Sequence, residues 1–167
     1  MGQLGNPLYG QNKLDNSVDG KLGLVVSVKP SSDGTIASPT STLTASDSGN
    51  IYMVDISANT AAFVLPSAPT AKGSVFTFIL SIESDAEGTK DLLIASGSAT
   101  EYLMGAGIDG GVIHDQQSDD DQIQIDTSAG AAGAGDRIKL LCDGNHWYVL
   151  DASCLTASAL VSGTASR

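Results

Sequence analysis

The chain is short of positive charge. Lys and Arg supply 8 of its 167 residues against 19 Asp and Glu, a formal net charge of -11. The eight basic residues are scattered from Lys13 to Arg167, and the nearest grouping, Arg137 with Lys139, sits beside Asp136. A field of this sign repels phosphate backbones, so nucleic acid is not an expected partner. Aromatic residues make up 5% of the chain, which leaves few stacking platforms for sugars or bases once Phe76, Phe78 and Trp147 are assigned to a core. Long apolar runs are missing too. LGLVV near residue 24 and FTFILSI near residue 79 fall far short of the roughly 20 residues that carry a helix across a bilayer. The opening MGQLGNPLYGQNKLDNS has neither the positive n-region nor the apolar h-region of a secretory signal, so synthesis in the cytoplasm is expected.

Catalytic punctuation is equally sparse. There is no G-x-S-x-G, H-E-x-x-H, C-x-x-C or P-loop pattern, and the two histidines, His114 and His146, lie in separate segments. No enzymatic activity and no cofactor are expected. The acidic run HDQQSDDDQIQID offers oxygen ligands of the kind hard cations prefer, with Asp119, Asp120 and Asp121 the residues a cation would use. It lacks the spacing of a calcium-binding loop. A solvated loop before a short strand explains it at least as well, and no metal is assigned.

Helical periodicity is almost absent, whereas strand signals recur. SVFTFILSIE places Phe76, Phe78, Leu80 and Ile82 on one face, with Val75, Thr77, Ile79 and Ser81 on the other. QIQID sets Ile123 and Ile125 against a polar outside. KLGLVVSV, NIYMVDI, AAFVL, DLLIA and GVIH are further candidates, separated by turn-rich DSGN, PSAPTAKG, DAEGTK and GAGIDGG. The two arms of a closing hairpin bring the count to about nine. The expected fold is all-β, a jelly-roll or barrel-like sandwich of eight or nine short antiparallel strands.

The closing hairpin, GDRIKLLCDGNHWYVLDASC, turns on Gly144-Asn145. A two-residue loop there pairs Cys142 with Trp147, Leu140 with Val149 and Ile138 with Asp151, facing the core. Arg137, Lys139, Leu141, Tyr148 and Leu150 fall on the other face. In this register Cys142 and Cys154 stand roughly 23 Å apart, at about 3.3 Å per residue, beyond the ~7 Å reach of a disulfide. Two free thiols are expected.

Three regions follow from composition. Residues 1–41 read as an N-terminal arm and linker, the latter being PSSDGTIASPTST from Pro30 to Thr42. Residues 42–155 form the β domain, with TSAGAAGAG as a flexible loop inside it, and residues 156–167 form a weakly ordered tail.

The stretch TLTASDSGNIYMVDISANTAAFVLPSAPTAKGSVFTFIL, from Thr42 to Leu80, resembles a pattern in tailed-phage virion proteins. A Thr-Leu-Thr opening is followed by an Asp-Ser-Gly turn, a strand, a Leu-Pro-Ser corner and an aromatic-rich strand. GDRIKLLCDGNHWYVL resembles the strand pair that closes such domains, so the likeness frames residues 42 to 152. The resemblance implies a small jelly-roll or barrel, usually homotrimeric, found in capsid decoration (cement) proteins, head fibres and tail-fibre modules. A chain of this length with an arm fits a decoration protein on the virion surface. The implied partners are the major capsid protein and further copies of the chain. Capsid contact is expected from Leu4, Pro7, Leu8, Tyr9 and Leu14, and subunit contact from Val75, Ile79, Leu141, Tyr148 and Leu150. The alternative is a receptor- or glycan-binding module of a head or tail fibre, exposing Trp147, Tyr148, Tyr102 and the acidic loop.

Overall fold

A computed structural model describes residues 24–81, 89–115, 119–127, 133–156 and 158–167. The described chain is nearly all β: twelve strands in two sheets, with two single-turn 3-10 helices, Ala45–Asp47 and Ala68–Thr70. In chain order the strands are β1 Val25–Val28, β2 Ser41–Thr42, β3 Ile51–Val54, β4 Ala61–Val64, β5 Val75–Leu80 and β6 Leu92–Ala95. Then follow β7 Leu103–Asp109, β8 Val112–Asp115, β9 Gln122–Ile125, β10 Arg137–Cys142, β11 Trp147–Cys154 and β12 Leu160–Gly163. The first sheet runs β1-β3-β5-β10-β11-β7-β8 and the second β12-β9-β6-β4-β2.

The antiparallel expectation needs correction, because five of the ten strand pairings are parallel. The path of the chain explains four of the five, all but the pairing of β7 with β11. From β1 to β6 successive strands alternate between the sheets, so each return to a sheet lays the new strand beside the previous one in the same direction. Val25, Ile51 and Thr77 are consecutive register partners in the first sheet, each 26 residues after the last. Alternation of apolar residues marks each strand but does not say which strand it pairs with. That depends on where the intervening chain goes.

Both sheets contribute to one core. Tyr52 and Phe78 from the first sheet meet Phe63 from the second at ring-centroid distances of 5.5 and 5.0 Å, and Phe76 lies 5.7 Å from Trp147. The alternation in β5 behaves as expected: Phe76, Phe78 and Leu80 are buried, and Val75, Thr77 and Ile79 are half-buried on the other face. Ile123 and Ile125 are buried in β9. Ile82 lies outside the described residues.

Three segments depart from expectation. The linker stretch is packed: Ile36 joins Ala62, Ala95 and Ala165 in a second buried cluster, and the Thr40 hydroxyl accepts a hydrogen bond from the Ala62 N–H at 3.1 Å. The cluster lies against the side of β4 and β6 that faces away from the main core, so these two strands are covered on both faces, as parallel strands commonly are. Their small residues, Ala62 and Ala95, are what allow the close approach.

The stretch expected as a tail supplies β12 and bonds to β9. GAGIDGG, expected as a turn, lies largely in β7. Its glycines serve close packing: a Cβ at Gly107 would overlap the Leu160 and Ala152 side chains, and Gly105 takes φ +133° against Val149.

Candidate functional site

The two sheets differ in what covers their outer faces. Among the described residues, the second sheet has the cluster around Ile36 on its outside, while the first sheet has no such buried cover. Its outer face is organised by the strand register. Val75, Leu141, Tyr148 and Met104 are successive partners across β5, β10, β11 and β7, forming one cross-strand row. Four residues further along β5, Ile79 pairs with Met53 on one side and Arg137 on the other. Ile51, Thr77, Lys139 and Asp151 form the row between. The face is apolar toward the hairpin turn and carries charge from the middle row onward, where Arg137 and Asp151 make an ion pair at 2.6 Å.

Four of the five expected subunit-contact residues therefore lie on this face: Val75, Ile79, Leu141 and Tyr148. Leu150 is placed differently. The register through Cys142–Trp147, Leu141–Tyr148 and Leu140–Val149 holds as expected, but the ladder then shifts, and Ile138 pairs with Ala152 rather than Asp151. Leu150 occupies the bulge, unpaired across the ladder and 52% exposed. Ile51, Met53 and Met104 complete the face and escaped the sequence reading. The first two alternate with buried Tyr52 and Val54, so their signal was present. Met104 was hidden beside the glycines of β7.

The hairpin tip is held by its own side chains. Asp143 accepts the N–H groups of Asn145 and His146 at 2.7 and 2.8 Å, and Gly144 takes φ +101°. These backbone bonds keep the Asp143 carboxyl below the usual carboxylate range, and its charge pushes the Tyr148 phenol up. His146 stacks on Tyr102 with centroids 5.3 Å apart and planes 11° apart, its Nδ1 accepting the Tyr102 N–H at 3.1 Å. Trp147 is fully buried.

Cys142 and Cys154 are buried and unpaired. The Cys142 thiol donates to the Ala68 carbonyl at 3.4 Å rather than to an imidazole, so no nucleophile and base are joined here. Burial pushes both thiols up, Cys154 to about 12, with the Asp136 and Asp109 charges adding to it. The native protein is expected to resist iodoacetamide at about pH 8 and to take two alkyl groups in urea, read by intact mass. Above its unfolded value of 9.0 the Cys154 thiol ionises only on unfolding, so its contribution to stability is complete below that pH and falls as pH rises toward about 12.

The acidic run does not act as a unit. Asp119 is exposed, whereas Asp120 and Asp121 are buried. Asp121 binds the Arg167 guanidinium at 3.0 Å and the Ala165 N–H. Among the described residues no group of three or more His, Cys, Asp or Glu side chains is arranged to hold a metal ion. No described helix is long and apolar enough to cross a membrane. Leu4, Pro7, Leu8, Tyr9 and Leu14 lie outside the described residues. No protein-family model matches the chain, and no curated protein sequence matches it significantly.

Proposed function

We propose that the chain is a non-enzymatic structural protein of a phage particle, a decoration protein that binds the outer surface of the head as a homotrimer and stabilises the shell. The observation that carries the reading is the asymmetry between the sheets. One outer face is covered by the chain itself, and the other presents a register-aligned apolar row with a charged border, the composition of a surface that closes on another copy. The resemblance of residues 42 to 152 to virion modules supports the particle assignment and the jelly-roll reading. The core shared by both sheets supports a sandwich. The N-terminal residues, with Leu4, Pro7, Leu8, Tyr9 and Leu14, are assigned to the major capsid protein, where three arms on one trimer act together through effective concentration.

The test is sedimentation with empty capsids. Comigration, a threefold mass for the free protein and raised heat resistance of the shell are expected; a monomer that stays in the supernatant overturns the reading. Leu141→Glu places a charge in the middle of the row and is expected to weaken self-association at least ~100-fold. Because Leu141 points away from the core, the urea midpoint should move by about 1 kcal/mol equivalent or less.

The second reading, a receptor- or glycan-binding fibre module, is favoured by the stacked Tyr102 and His146 at the hairpin tip. Glycan-array binding that is lost in Tyr102→Ala, with assembly intact, supports it over the first.

A further inference from the structure

We infer that β1, an open edge of the first sheet, pairs antiparallel with β1 of a second copy about a two-fold axis at Val26. The contact lies in the plane of the sheet and is separate from the closure of its outer face proposed above.

The ladder fixes which backbone groups are free. The N–H groups of Ile51 and Asp55 donate to the Leu24 and Val28 carbonyls at 2.9 and 2.8 Å, and the parallel register between them runs from Val25 with Ile51 to Val28 with Val54. Alternate residues of such a ladder face the partner strand, so Leu24, Val26 and Val28 turn their backbone groups to β3. Those of Val25 and Ser27 point away from the sheet and have no partner among the described residues. A row of this kind is a template for another strand, and proteins blunt such edges with charge, proline, bulges or brevity. The other three edges are blunted: β2 has two residues, β8 includes His114 and Asp115, and the Leu160 N–H of β12 is accepted by Asp109. The β1 sequence, VVSV, has none of these devices.

The edge is complementary to itself. With Val26 opposite the partner's Val26, Val25 faces the partner's Ser27 and Ser27 faces the partner's Val25, and each of these two pairs exchanges both its N–H···O bonds. Every free backbone group of the two strands is then used, and the two-fold arrangement closes rather than propagating. The side chains agree with this pairing. Val25 and Ser27 are exposed on the outer face, while Val26 and Val28 pack against the core only half-buried, and a second β1 continues that inner apolar face. Four residues a side fall well short of the roughly 20–30 of a lasting interface, so the pair does not add to the mass of the free protein. It persists where copies are held side by side at high effective concentration.

Disulfide trapping at millimolar protein tests the contact. Val26→Cys stands opposite its own counterpart at the narrow, non-hydrogen-bonded position, about 4.5 Å between Cα atoms, which a disulfide spans. Val28→Cys lies four residues out of register with its counterpart, roughly 13 Å away at about 3.3 Å per residue. After oxidation, Val26→Cys is expected to give at least tenfold more double-mass species on a non-reducing denaturing gel than Val28→Cys, and the unsubstituted chain, whose thiols are buried, none. Equal yields overturn the register, and no double-mass species from either variant overturns the contact. Val25→Lys with Ser27→Lys, added to Val26→Cys, sets like charges opposite one another across the axis and is expected to cut the yield at least tenfold. Val25→Lys with Ser27→Glu sets unlike charges there and should restore it. Both positions are exposed, so neither pair of substitutions disturbs the core. A yield indifferent to these charges overturns the pairing. Sedimentation of the reduced samples separates the two readings: a threefold mass without trapping leaves the assembly proposal standing and removes the edge contact, whereas trapping that survives in a monomeric Leu141→Glu background supports the edge contact alone.

Discussion

Phe78→Ala is expected to lower the unfolding free energy by about 3–5 kcal/mol, read as a fall in the urea midpoint with the slope unchanged. Phe78 is fully buried, and its ring lies 5.3 Å from Tyr52 and 5.0 Å from Phe63. It therefore belongs to both sheets at once. Truncation removes the transfer energy of the ring and leaves a cavity between layers that the strand ladders hold apart, since β5 is bonded on both sides, to β3 and β10. A domain of this size has about 5–15 kcal/mol in total, so the variant should be near the edge of folding. Thr77→Ala, one residue away on the outer face, should move the midpoint by about 0.5 kcal/mol or less. Equal losses at the two positions would contradict the assignment of faces.

Arg167→Met is expected to lose about 3 kcal/mol. The Asp121 carboxylate is 1% exposed, and the Arg167 guanidinium is the cation paired with it. Removing the cation leaves a buried charge with only hydrogen-bond donors around it, and that penalty exceeds the intrinsic worth of the pair. The guanidinium is 29% exposed, which places the loss toward the lower end of the range for fully buried pairs. Arg167→Met combined with Asp121→Asn should recover a large part of the loss, because the uncompensated charge is gone. Hydrogen exchange should quicken first in β12 and in residue 165, whose N–H the same carboxylate accepts. If the double variant is as unstable as the sum of the two single ones, the residues are not coupled.

The strand elements were legible where the alternation was strong. β5, β9 and the two arms of the hairpin stand where Phe76, Phe78, Ile123, Leu140 and Trp147 put them, because a period of two needs no knowledge of the partner strand. The turn at Gly144-Asn145 was legible for the same local reason. The outer row was half legible: Val75 and Leu141 could be placed on the face opposite the core, but that they are neighbours across the ladder could not.

What the amino-acid sequence determined by itself was the β class, the inward residues of the strong strands, the strong negative charge and the absence of any recognised catalytic spacing. Tertiary structure alone decided that half the pairings are parallel, that the glycines of β7 make room for Leu160, that Asp121 belongs to Arg167 and that the last residues form a strand. Each of these depends on contacts between segments tens of residues apart, where the choice of partner is set by the route of the chain and the space left in the core. Short-range pattern carries no record of either.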